Sequence, residues 1–161
     1  MIEIEITQEM KDRVSRYIQK LGAHKNNYRS SPDSMFTGYM GELVFLIAYP
    51  EAEHKNTYDY DAVLDGKTID VKTKKVNSKP QGYWQTSVFT YNTKQKCDYY
   101  SFVQVKSDYS LGWVVGTIDK QVFLDNAYLA EKGVLQPNGL IPKQDSYNLT
   151  CKDIEELGVD I

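Results

Sequence analysis

The stretch Tyr58–Lys75, YDYDAVLDGKTIDVKTKK, decides how this chain is to be read. It predicts two short strands around a tight turn. Asp65-Gly66 is the hairpin signal, because Asp and Gly tolerate the positive φ angles that a two-residue turn demands. With Leu64 and Lys67 flanking the turn, Val63 faces Thr68, Ala62 faces Ile69 and Asp61 faces Asp70. Side chains alternate between faces along a strand. Asp70 and Lys72 therefore share one face, with Asp61 opposite Asp70 on it. Ala62, Leu64, Ile69 and Val71 point the other way, into a core. Like charges directly opposite destabilise a sheet. One reading is an ordinary solvated ribbon with both acids exposed. The other is a pair of acids gathered around a divalent cation, since hard cations such as Mg²⁺ take carboxylate and carbonyl oxygens.

Upstream, Ser34 is placed to cap a helix running to about Tyr49, where Pro50 stops it. Its stretch MFTGYMGELVFLIAY is apolar almost all round, the mark of a buried helix. Glu42 is its only charge, and a lone buried Glu is unfavourable unless it is paired or bound. Gly38 and Gly41 flank it and predict close approach of another backbone, a metal cluster or DNA. A purely structural alternative pairs Glu42 with an internal lysine such as Lys72.

Taken in order, the helical Glu42, Asp61, the Asp65-Gly66 turn and Asp70-Val71-Lys72 resemble the core motif of the PD-(D/E)XK nuclease superfamily. The resemblance spans roughly residues 34 to 105, and Tyr60 stands where the motif often has proline. It implies a restriction-endonuclease-like α+β (α/β) core, a central mixed sheet of about four to five strands flanked by helices. It implies hydrolysis of DNA phosphodiester bonds with Mg²⁺ or Mn²⁺. Glu42, Asp61, Asp70 and the backbone carbonyl of Val71 are the expected metal ligands. Lys72 is expected to stabilise charge and position water, because an amine beside carboxylates keeps its charge. Asp59 lies on the same face opposite Lys72 and competes with Asp61 for the metal role, or pairs with Lys72; the turn register favours Asp61. Lys74, Lys75, Lys79 and Arg29 are the candidate nucleic-acid contacts, with His24 and Lys25 beside Arg29. Duplex cleavage on both strands also implies a homodimer. The competing expectations are a catalytically inactive nucleic-acid-binding protein of the same fold and a hydrolase of small phosphate esters.

The rest of the chain fits one soluble domain, residues 1–161. A net charge of −3 argues against wrapping nucleic acid by bulk charge, though not against a local contact. No apolar run reaches the ~18 residues of a membrane span. Cys97 and Cys151 form no disulfide framework, so a reduced, cytoplasmic setting is expected and both thiols read as packing residues. Met10, Val14, Tyr17, Ile18 and Leu21 predict a first helix over about 8 to 21 that covers the sheet. His54, in a polar connection, reads as an idle surface residue. Further strands are predicted at Tyr83–Tyr91, Tyr99–Lys106 and Gly112–Ile118, with a helical segment from 119. Thr150 and Asp153 have capping-box spacing and predict a last helix to about Leu157. The 13 tyrosines are spread along the chain and read mostly as packing.

Overall fold

The computed structural model describes residues 1–21 and 31–161. His24, Lys25 and Arg29 lie outside the described residues. The fold is α+β with a mixed sheet. Strand β1 (Ile2–Glu5) leads into helix α1 (Gln8–Leu21), and α2 spans Pro32–Ala48. Then come β2 (Glu53–His54), β3 (Ala62–Leu64), β4 (Lys67–Val76) and β5 (Gln85–Phe89), with a 3₁₀ turn at Thr90–Lys94. Strands β6 (Tyr99–Lys106) and β7 (Leu111–Asp119) precede α3 (Lys120–Asn126), β8 (Tyr128–Ala130), β9 (Ser146–Thr150) and α4 (Cys151–Leu157).

Six strands form the main sheet in the order β1-β7-β6-β4-β3-β2, and β5-β9-β8 form a second sheet. The main sheet exceeds the four to five strands expected because the short β1 and β2 form its edges, although the Tyr83–Tyr91 stretch supplies β5 to the second sheet instead. Among the described residues only the central β4–β6 pairing is parallel; the others are antiparallel. The hairpin register is the one the sequence predicts: Ala62 pairs with Ile69, Val63 with Thr68 and Leu64 with Lys67. Asp65 and Gly66 turn the chain at φ of 50° and 74°.

The main sheet is the middle layer. On one face Ile69, Val71, Val103 and Val105 pack against Met40, Val44 and Phe45 of α2 and Met10 and Val14 of α1. On the other, Tyr100 and Phe102 pack with Val88, Phe123, Leu149 and Ile154 from the second sheet, α3 and α4. Strand alternation explains the division: Ile69 and Val71 face the helices, so Asp70, Lys72 and Lys74 face the second sheet.

Ser31, rather than Ser34, caps α2, accepting a hydrogen bond from the Ser34 N–H. Gly41 allows α2 to lie close on β4, because a Cβ there would overlap the Thr73 side chain at Oγ1. The close approach expected at the two glycines is therefore to a side chain of β4 and at Gly41 alone; Gly38 has nothing within 4 Å. The Thr150–Asp153 capping box forms as predicted. No helix of the described residues is long and apolar enough to cross a membrane.

Candidate functional site

Strand β3 has only three residues, so most of β4 runs on without a neighbour on that edge. A strand edge leaves backbone N–H groups in need of partners. Asp61, at the entry to β3, supplies one: its Oδ2 accepts from the Val71 N–H at 2.8 Å. This contact turns the Asp61 carboxyl toward Asp70. Glu42, brought down by the Gly41–Thr73 contact, completes the cluster. Glu42 and Asp61, and Asp61 and Asp70, come close enough to share a proton.

Three carboxyls crowded out of water resist ionisation together. Burial first, then the charge of Asp70, pushes the Glu42 carboxyl up to about 8. Burial first, then the charges of Glu42 and Asp70, raises Asp61 well above the usual carboxylate range, while the Val71 N–H pulls the other way. Asp70 is buried. Lys72 is the single ammonium among them, 2.5 Å from Asp70 Oδ2. That buried oxygen therefore has Lys72 as its charge partner. The same ammonium donates to Gln95 Oε1 at 3.0 Å, and Gln95 Nε2 donates to the Tyr58 carbonyl at 2.6 Å. Lys72 thus pairs with Asp70, not with Glu42.

Glu42 has a different partner. His54 Nε2 lies 2.8 Å from Glu42 Oε2, with its side chain 31% exposed. This corrects the reading of His54 as an idle surface residue. Burial, then the charge of Arg13, lowers the His54 pKa below its ordinary value. Tyr17 stacks edge-on against His54, and burial with the charges of Glu42 and Asp61 raises its phenol.

A depression of about 220 Å³ opens beside this pair, lined by Glu42, His54, Tyr17, Arg13, Arg16 and Lys20 among others. The three cations recur at i, i+3 and i+7 along α1 and so share a face. Asp12, one turn before Arg16, accepts instead from Gln8 Nε2 at 3.0 Å. Among the described residues no carboxylate makes a salt bridge with any of the three. The spacing of this stripe is present in the sequence, although apolar periodicity marks α1 only as a cover for the sheet.

The candidate nucleic-acid contacts divide. Lys74 shares the face of Lys72 and reaches the Gln85 carbonyl at 3.4 Å. Lys75 turns to the opposite face, paired with Asp33 at 2.8 Å and lying over the Tyr109 ring, so it does not extend that line. Lys79 is exposed in the loop after β4. Asp59 Oδ1 accepts from the Lys96 N–H at 2.9 Å, and among the described residues Asp59 makes no salt bridge with Lys72. Both cysteines are free, and burial with the nearby Asp70 charge pushes the Cys97 thiol up to about 12.

The donor set suits a hard cation: three carboxylates against one ammonium leave two negative charges when all are ionised. Among the described residues, however, no three His, Cys, Asp or Glu side chains stand placed to hold one ion as they are. The reason is visible in the contacts. Glu42 Oε2 is held by His54, Asp61 Oδ2 by Val71 and Asp70 Oδ2 by Lys72. A search against family models and a search of curated proteins both return no match to this chain.

Proposed function

We propose that the chain is a divalent-cation-dependent endodeoxyribonuclease that resembles the PD-(D/E)XK nucleases. The observation that carries this reading is the gathering of half-buried Glu42 and Asp61 with buried Asp70 beside one ammonium, Lys72. Buried like charges are unfavourable without a compensating partner, and a structural domain gains nothing from collecting them. Asp61, Asp70 and the Val71 carbonyl would hold Mg²⁺ or Mn²⁺, with Glu42 on a second ion or its waters. A bound cation supplies a water of lowered pKa and a counter-charge for the reacting phosphate.

The side chains of the chain itself do the rest. Lys72, held by Gln95, positions the attacking water and stabilises charge at the phosphate. Arg13, Arg16 and Lys20 offer cations to the sugar–phosphate backbone next to the acids, where an overall acidic chain needs them. Lys74 extends the contact on the other side. Cleavage of both strands would take two copies, since the described residues of one chain form one such cluster.

The engaged oxygens of the acids favour a second reading, a nucleic-acid-binding protein of this fold that does no chemistry. Incubation with linear, circular, branched and single-stranded DNA, with Mg²⁺ or with EDTA, separates them. Cation-dependent cleavage lost in Asp70→Asn with binding kept supports the nuclease. Salt-sensitive binding without cleavage under any cation overturns it in favour of the second reading.

A further inference from the structure

Five buried side-chain polar atoms among the described residues have no hydrogen-bond partner. Thr73 Oγ1 is turned toward Gly41 on the helix side. The other four fall in one region. Asp70 Oδ2, ion-paired with Lys72, and the Tyr100 hydroxyl lie at the acid cluster, and Gln85 Oε1 and Gln104 Oε1 belong to residues lining the cavity next to it. Buried polar groups without partners are rare in folded proteins, so two free carboxamide oxygens at one cavity point to a ligand.

That cavity, of about 480 Å³, lies between the main sheet and the second sheet. Lys72 and Lys74 form its border toward the acids. Ligand pockets commonly run about 300–1,000 Å³, apolar with a few placed polar groups. Gln104 stands beside Lys74 in the β4–β6 register and is 2% exposed. Phe89 and Tyr128, 41% and 43% exposed, line it from β5 and β8. An apolar cleft with aromatic rings and unpaired carboxamide oxygens matches the flat faces and amino edge of a nucleobase better than it matches a phosphate.

We propose that this cavity takes a nucleobase of the bound strand, moved out of its stack as the neighbouring phosphate sits at Lys72. The inference rests on the nuclease reading, which is what brings a strand to that lysine. Carboxamide acceptors favour bases with an exocyclic amine, and the rings hold the base by stacking.

The test is protein-observed NMR with the four deoxynucleoside monophosphates and, as control, deoxyribose 5-phosphate, all at millimolar concentration. The expected result is saturable shifts at the Gln85 and Gln104 side-chain amides with the monophosphates and not with the sugar phosphate. Adenine, guanine and cytosine should bind more tightly than thymine. Tyr128→Ala, at an exposed ring that leaves folding intact, should weaken binding roughly tenfold, and Gln104→Leu should abolish the preference for amino-bearing bases. Equal shifts from the sugar phosphate, or no shifts at these amides, overturn the inference. A plasmid-nicking assay on the same sample keeps the two readings apart. Nicking without shifts removes the base site alone, and neither nicking nor shifts removes both.

Discussion

Glu42 Oε2 and His54 Nε2 stand 2.8 Å apart, joining the buried helix α2 to the two-residue edge strand β2. The contact holds the acid cluster together on its outer side and leaves Glu42 with a proton to share. It makes the site sensitive to pH in a definite direction.

Glu42 rises from an ordinary 4.5 to about 8 in the folded chain, so the folded state binds its proton more tightly than the unfolded state does. Its contribution to stability is complete below about pH 4.5 and is lost as pH climbs to about 8. Asp61 is shifted in the same sense. In EDTA the melting temperature should therefore fall across this range. Glu42→Gln should flatten the slope, and Mg²⁺ added at the alkaline end should restore the wild-type melting temperature. Thermal melts across pH check this, and a melting temperature that climbs instead would contradict the burial described.

Lys72 occupies the Asp70 oxygen that a cation would need. Lys72→Met removes that competitor and the positioning group at once. The expected outcome is Mn²⁺ binding at least as tight as wild type by calorimetry, with cleavage reduced by a factor of about 10² or more. Weaker Mn²⁺ binding in the variant would show that the ammonium does not block the site.

Gln95 Oε1 accepts a hydrogen bond from the Lys72 ammonium at 3.0 Å. On the nuclease reading it is a positioning residue. Gln95→Ala should lower kcat with KM little changed, while Gln95→Glu, which keeps an acceptor, should recover much of the loss. A change in KM alone would assign Gln95 to substrate binding.

Arg13, Arg16 and Lys20 place three cations beside the acids, none in a salt bridge among the described residues. Replacing all three with glutamine should weaken DNA binding uniformly across sequences. For every phosphate no longer neutralised, the slope of log affinity against log salt should shrink by about 0.9. Binding titrations at several salt concentrations measure it, and an unchanged slope would take α1 out of the interface.

Gly41→Ala places a methyl group on Thr73 and forces α2 off β4. A loss of about 1–3 kcal/mol is expected from such overpacking. Glu42 moves with the helix, so cation affinity should fall as well. Denaturant unfolding and calorimetry read the two effects separately, and Gly38→Ala, in open space within the same helix, is the clash-free control, expected to stabilise by up to about 1 kcal/mol.

Local rules accounted for much of this molecule. The Asp65-Gly66 turn fixed the pairing of β3 with β4, because a two-residue hairpin admits one register and period-two alternation then assigns every face. The same rules placed Asp70, Lys72 and Lys74 together and marked Glu42 as an anomaly on an apolar helix. The Thr150–Asp153 cap likewise depends on residues three apart, and it formed.

What needed the tertiary structure was every relation between distant segments. His54 joins Glu42, and Gln95 joins Lys72, only because β2 closes the sheet edge and the 3₁₀ turn folds back over β4. The second sheet, its cavity and the opposite facing of Lys75 and Lys74 depend on which strands pair, and pairing is settled by packing rather than by any local pattern. Which acids and which amine face one way could be read from the residues alone, since strand geometry is local. Whether they meet, what else meets them and which oxygens stay engaged were decided by the packing of α2 on β4, a contact of long sequence separation.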